Sequence, residues 1–306
     1  MKTYSFHSGP TETNAKYLFN TPKHLALQAS EGWLCYYALN EKGKCLAFVW
    51  INASNEIALS PLHAPFGSIE TDADIEPKVL YEFIEYVVQS AKSSGLKKIF
   101  LKNPPEVYNS PTSNLLTTFL LNQGFNITQA EISSVIPVSS DLYSNKISDW
   151  EHRKLKQAKA AGLHFSQSSS EALDKIYAFL ETCRKEKGYS LSMSLENVKN
   201  LQQTFTDQIL FFSVLLENQL AAACIAIQVS RDILYTFYYD HLKAFDGYSP
   251  VVLLVEGIYQ HCQSNNIRLL DLGTAALNTQ PNFSLLTFKN NLGGIPSSKF
   301  TFLKHL

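Results

Sequence analysis

Charge is scarce in this sequence. Of its 306 residues only 17% are Asp, Glu, Lys or Arg, against about a quarter in ordinary soluble domains. The 26 basic and 27 acidic side chains nearly cancel, leaving a formal net charge of −1. That balance excludes a chain-wide electrostatic footprint for nucleic acid or an anionic membrane and leaves room only for local patches. Signature motifs are missing as well. No Gly-x-Gly-x-x-Gly, Walker loop, Gly-x-Ser-x-Gly or His-Glu-x-x-His occurs, which removes dinucleotide, P-loop, α/β-hydrolase and zincin chemistry. The five cysteines, Cys35, Cys45, Cys183, Cys224 and Cys262, form no Cys-x-x-Cys. His261 adjoins Cys262, but neighbouring residues rarely chelate one metal. They read as reduced, buried thiols, with no metal expected. No apolar run approaches the ~20 residues of a membrane span. "MKTYSFHSGPTETN" has no apolar core of a signal peptide, so the expected location is cytoplasmic.

Apolar residues, by contrast, are plentiful. They make up 45% of the chain, with 19 Phe and 15 Tyr, enough for two domains with cores of their own. The order of predicted elements is stated twice. The strand-like runs "GWLCYYAL", "KCLAFVWI" and "EIALSPL" precede a helix from Pro77 to about Ser94, with Leu80, Phe83, Ile84, Val87 and Ala91 on one face. The strand "LKKIFLK", a helix around Leu115–Asn122, Gly124 and a strand near "SSVIPV" follow. In the second half "QILFFSVLL", "QLAAACIAIQV" and "DILYTFYYDH" precede a helix with Ser249 as N-cap and Pro250 in its first turn. Then come "IRLLDLG", the helix "PNFSLLTFKN" and Gly293-Gly294. Equivalent landmarks keep similar offsets: Lys44 to Gln219 is 175, Pro77 to Pro250 is 173, Gly124 to Gly293 is 169. The expected organisation is α+β, with a first domain over 1–140 and a second over 141–306 that begins with a basic, largely helical connector (146–206).

The run "EHRKLKQAKAAGL", followed by "LYTFYYDH", "YSPVVLLVEGI", "IRLLDLGTA" and "LLTFKNNLGG" in that order, resembles the second half of the FemABX-like aminoacyltransferases and their relatives in the GNAT acyltransferase superfamily. The resemblance is strongest over Glu151–Leu306, and the first half joins it through element order. It implies two tandem GNAT-like domains with mixed sheets. The implied activity is acyl, acetyl or aminoacyl transfer to an amine or hydroxyl, on an acceptor such as a cell-envelope or polysaccharide precursor. A catalytically degenerate binding protein of the same fold and an aminoacyl-tRNA-dependent peptide-bridge ligase are the rival expectations. Acyl-CoA is the donor that the superfamily implies. However, "LKAFDGYSP" agrees with the usual Arg/Gln-x-x-Gly-x-Gly/Ala loop only at Gly247 and Ser249, so the donor stays open. Apart from aminoacyl-tRNA, no nucleic-acid partner is expected.

Acyl transfer needs a base for the attacking amine and fixed donors for an oxyanion. Asp240 and His241 at a strand end can supply the base, or can be a turn pair. On simple alternation Ile233, Tyr235, Phe237 and Tyr239 share one face and Tyr238 and Asp240 the other. Asp271 is either a base or an acceptor for the turn after it. Lys289 follows an apolar face of Leu285, Leu286 and Phe288. It is either a helix-end cation favoured by the macrodipole or, as the resemblance implies, a cation at the acyl-transfer centre. Tyr239, Tyr248 and Ser249 are the expected substrate-binding residues around them. His152, Lys156 and Lys159 form a stripe with Arg153 beside it. Such a stripe is a solvated face, or, by the resemblance, a phosphate-facing surface carried by Arg153 and Lys156. "SPLHAPFGS" with His63 is a shaped loop or the edge of a cleft. His7, His24, His152, His164 and His305 read as surface residues. The cysteine reading predicts five reactive thiols on titration of the denatured, unreduced protein; three or fewer would reveal a disulfide.

Overall fold

The computed structural model describes residues 3–277 and 280–306. The chain divides into two compact units, the first from residue 3 to 132 with 280 and 297–306, the second from 133 to 277 with 281–296. The strands are β1 (Tyr4–Ser8), β2 (Trp33–Asn40), β3 (Cys45–Ser54), β4 (Ile57–Ser60), β5 (Glu70–Thr71), β6 (Lys98–Lys102), β7 (Asn126–Pro137), β8 (Leu163–Ser168), β9 (Ile209–Leu216), β10 (Gln219–Ser230), β11 (Ile233–His241), β12 (Leu269–Thr274), β13 (Ala276–Leu277), β14 (Gln280–Pro281) and β15 (Ile295–His305). The helices are α1 (Pro22–Gln28), α2 (Pro77–Ser93), α3 (Ser110–Asn122), α4 (Asp149–Ala160), α5 (Leu173–Glu186), α6 (Leu195–Thr204), α7 (Pro250–Ser264) and α8 (Phe283–Asn291).

Both units use one plan. The first has the strand order β1-β2-β3-β4-β6-β15, antiparallel except for the parallel pair β4/β6. The second runs β8-β9-β10-β11-β12-β7, antiparallel except for the parallel pair β11/β12. Strands β3 and β10 therefore hold equivalent places, and both units are mixed-sheet α+β structures, as the repeated element order predicts. The boundaries differ from the expected 1–140 and 141–306. Ser133–Pro137 pair with β12, and Thr301–His305 pair with β6. Each unit thus takes its outermost strand from a stretch of sequence that the simple division assigns to the other. The 146–206 connector is not wholly helical either, because Leu163–Ser168 form β8 along the edge of the second sheet.

The long helices follow from their sequences. α2 begins with Pro at its first position and buries Val79, Leu80, Phe83, Ile84, Val87, Val88 and Ala91, the 3.6-residue stripe expected of a helix lying on a sheet. α7 is buried on every side from Pro250 to Tyr259. It runs so close to β8 that a Cβ on Gly257 would lie 2.2 Å from the Phe165 ring. Ser249 does precede α7, but in a left-handed conformation (φ 48°) and without a capping bond from its side chain. His24 is not on the surface. It is buried beside Phe19, and burial pushes its imidazole down to about 4. All five cysteines are free thiols, and four of them are buried.

Phe302 of β15 is fully buried in the core formed by α2 and the first sheet. Phe302→Ala is expected to cost about 3–5 kcal/mol. Urea melts monitored by hydrogen exchange should show the loss in residues 33–102; a loss confined to residues 209–274 would contradict the assignment of this strand.

Candidate active site

The parallel strands are where each sheet can open. In the second unit Ile233, Leu234 and Tyr235 pair with Leu269, Leu270 and Asp271, and no pairing follows. β11 continues along β10 as far as His241, opposite Ala222. Both strands bulge where they part. Ile225 and Ile227 of β10 face Tyr238 and Tyr235, so two steps on β10 match three on β11. Asp271 and Thr274 face Val135 and Ser133, so β12 also carries an extra residue, with Gly273 left-handed at φ 77°. Bulges leave backbone groups outside the ladder. The β11 bulge also shifts the alternation: Tyr239 packs with Leu234 on the α7 side, while Asp240 faces α5. Tyr239 therefore does not share a face with Ile233, as unbroken alternation requires.

The groups freed on β12 are taken up by side chains. Asp271, 2% exposed, accepts at Oδ1 from the Gly273 N–H at 2.6 Å and the Ser133 hydroxyl at 2.9 Å. The Lys289 ammonium donates to the carbonyls of Gly273 and Thr274, each at 2.9 Å. Thr236, in the β11 bulge, donates its hydroxyl to the Asp271 carbonyl at 3.0 Å. A Cβ on Gly273 would meet the Tyr235 ring at 3.3 Å. Lys289 is the one buried residue of α8, 3% exposed. The apolar face expected from Leu285, Leu286 and Phe288 is only partly covered, so this helix inverts the usual arrangement and buries its cation. It is no solvated helix-end charge. Burial pushes the ammonium down to about 8, Arg184 adds to the effect, and Asp271 opposes it.

Asp240, 6% exposed, is held by Lys187 and by Arg184 at 3.4 Å from the end of α5, and it accepts the His241 N–H at 2.9 Å. His241 pairs through Nε2 with Asp246 at 2.8 Å. Burial raises the Tyr239 phenol, which Arg184, Asp240 and Asp271 all influence. Lys289, Asp271, Tyr239, Asp240 and His241 are thus grouped around the end of β11. Tyr248 and Ser249 lie farther along, at the entrance to α7, and Arg153 and Lys156 lie on the exposed side of α4. Sequence reasoning missed Arg184, Lys187, Thr236 and Ser133. The pair Arg184/Lys187, three apart at a helix end, was a visible signal; the two hydroxyls gave none.

In the first unit β4 and β6 part after Ser60 and Leu101. There the loop "SPLHAPFGS" folds back, and the Gly67 N–H donates to the Lys102 carbonyl at 3.0 Å. Phe66 is 1% exposed and packs edge-on against Tyr17, Phe19 and Tyr108 at 5.0–5.6 Å. His63 is exposed. This opening is filled with aromatic rings, so the loop shapes the core and the second unit carries the better candidate site.

Acyl-CoA, which the fold family implies, would set its pyrophosphate against backbone N–H groups at the start of α7. The residues there do not fit that task. Pro250 removes an N–H at the first helical position, the Ser249 N–H donates to the Asp246 carbonyl at 3.2 Å, and the Asp246 carboxylate stands in the loop. A Cβ on Gly247 would meet nothing within 4 Å, so no close backbone approach calls for that glycine. Among the described residues no cluster of His, Cys, Asp and Glu is placed to hold a metal ion, and no helix is long and apolar enough to cross a membrane.

A mixed sheet opened between parallel strands and built twice in one chain is the tandem GNAT-like fold. Residues 150–281 match the family model for the acetyltransferase (GNAT) domain. The structure is similar to the crystal structure of FemX, with a TM-score of 0.72 at 12% identity over 94% of this chain and 92% of that one. It is also similar to L-PGS from Bacillus licheniformis (TM-score 0.56, 12% identity, 92% and 86% covered). A third likeness is to a tandem GNAT protein from the clavulanic acid biosynthesis pathway (0.54, 9%, 98% of each chain). No curated protein matches the sequence.

The buried lysine makes a pH prediction. With a folded value of about 8 against 10.5 in the unfolded chain, the unfolded state binds more protons between those limits. Stability therefore rises with pH across that window, and the burial cost is present in full below pH 8. Lys289→Met should abolish this contribution. In paired urea titrations at pH 7.5, 9 and 10, the stability of wild type relative to the variant should increase with pH; a pH-independent difference would contradict it.

Proposed function

We propose that the chain transfers an acyl or aminoacyl group from an activated donor to an amine or hydroxyl acceptor at the parting of β11 and β12. The observation that supports this most is the pair of facing bulges, one of them locked by Asp271 and Lys289. Backbone N–H groups of the β11 bulge serve as fixed donors to the oxyanion, at no cost in reorganisation. Lys289 and Asp271 act as positioning residues, since both are spent on the β12 backbone. Asp240 is likewise engaged by Arg184 and Lys187, which leaves His241, oriented by Asp246, as the base. The acceptor nitrogen or oxygen forms a bond to the acyl carbon and its proton passes to His241; collapse of the tetrahedral intermediate breaks the donor's acyl bond, and the departing hydroxyl or thiol takes that proton back from His241. The sequence resemblance of Glu151–Leu306 to the FemABX-like aminoacyltransferases favours a cell-envelope precursor as acceptor. The poor fit of the α7 entrance to a pyrophosphate favours an aminoacyl ester such as aminoacyl-tRNA over acyl-CoA.

The engagement of Asp240, Asp271 and Lys289 in internal contacts favours one second reading, a binding protein that has kept the fold and lost the chemistry. A transfer assay with radiolabelled acetyl-CoA and aminoacyl-tRNA, against amine-bearing envelope precursors, separates the two. Turnover with one donor is expected, reduced ~10²–10⁴-fold by His241→Ala at an unchanged melting temperature. Lys289→Arg should lower turnover too, because a guanidinium does not reproduce the two carbonyl contacts in the same space. Saturable precursor binding without turnover would sustain the second reading. Full activity of His241→Ala would move the base elsewhere.

A further inference from the structure

α4 and α7 pack together in the second unit, and beside the turn at Tyr143–Asn145 they leave a cleft of about 350 Å³, within the size range of small-molecule sites. His152, Lys156 and Lys159 line it from α4 and Glu256 from α7, with Leu142 and Leu155 as apolar wall. The three bases are spaced i, i+4 and i+7 and so share one face of the helix. Their charges are not equivalent. Lys159 reaches Glu256 at 2.7 and 2.9 Å, and the Glu256 side chain is only 10% exposed, so these two neutralise each other inside the cleft. The side chains of Lys156 and His152 have no ion pair or hydrogen bond among the described residues. The cleft's one carboxylate is cancelled while two bases, one turn apart, remain unspent. Leu142 is 71% exposed on the rim, and Trp150 at the head of α4 is 57% exposed, with Arg153 and Lys154 over its ring at 5.5 and 5.4 Å.

We propose that the α4/α7 cleft is a second ligand site, which binds the phosphate group of an amphipathic phosphate ester. Lys156 and His152 take the phosphate oxygens and Leu142 and Leu155 receive the adjoining apolar part. Two donors one helical turn apart suit an anion that accepts from several directions. The Lys159–Glu256 pair lets the bases act without a competing carboxylate. The site stands apart from the acyl-transfer centre, where none of these residues is used. The same phosphate chemistry has two sources, a soluble ester or a phospholipid headgroup, and Trp150 and Leu142 would add interfacial anchorage to the second.

Calorimetric titration with sn-glycerol 3-phosphate and co-sedimentation with phosphatidylcholine vesicles, with and without phosphatidylglycerol, test the proposal. Lys156→Gln and His152→Gln are the variants, and Lys175→Gln, an equal charge change on the exposed side of α5, is the control. Binding of at least one probe is expected, weakened at least tenfold by Lys156→Gln, less by His152→Gln and not by Lys175→Gln, at equal melting temperatures. Titration heat with vesicle binding at background identifies a soluble ester. Sedimentation that depends on phosphatidylglycerol and is reduced by Trp150→Ala identifies a headgroup. Wild-type protein that binds neither probe, or a Lys156→Gln variant that binds no more weakly than the control, overturns it.

Discussion

A buried ammonium holds two carbonyls of an interrupted strand, and much of the second unit is arranged around that fact. β12 must bulge if it is to leave β11 while still pairing with β7. The bulge takes the carbonyls of Gly273 and Thr274 and the N–H of Gly273 out of the ladder, and a buried group left unsatisfied costs about 1–3 kcal/mol. Lys289 meets the first two and Asp271 the third. The cost of burying each charge is moderated by the presence of the other, as the opposing influence of Asp271 on the lysine shows. The open end of β11 keeps its shape because the neighbouring strand has been fastened in its irregular course.

This explains why the two parallel pairs, alike in topology, differ in what they offer. In the first unit the loop after β4 folds over the parting strands and fills it with Phe66 and its aromatic neighbours. In the second unit the chain after β11 continues into a short 3₁₀ segment, Lys243–Tyr248, whose Phe245 turns into the core beside α7. Two equivalent frames are present, and the loop that follows the fourth strand differs between them.

The sequence made the frame legible where local rules govern. α2 and α7 declare themselves through Pro at the first position and apolar spacing, and the repeated order of strands and helices holds throughout. Edge strands were harder. "YSFHS" and "LHFSQS" become β1 and β8, but each exposes a side to solvent, which dilutes the apolar signal. The bulge in β11 could not be read because nothing in "YTFYY" marks where alternation slips by one. Lys289 was found by its neighbours in sequence, yet its burial depends on carbonyls freed fifteen residues earlier, a tertiary circumstance. His24 misled for the same reason: an imidazole beside Phe19 looks polar in sequence and is apolar in its setting.

The placement of β15 bears on how the chain comes to be folded at all. Leu101 of the first unit waits for Phe302, 201 positions further along, before its strand is covered on that side. At a synthesis rate of about 5–20 residues per second, that edge of β6 stays bare for roughly 10–40 s. An uncovered strand is a template for stray pairing, so this interval is when a nascent chain is most exposed to aggregation and to capture by chaperones. A chain released before residue 297 would leave that edge uncovered, and in a crowded cell such an edge separates unfinished molecules from completed ones.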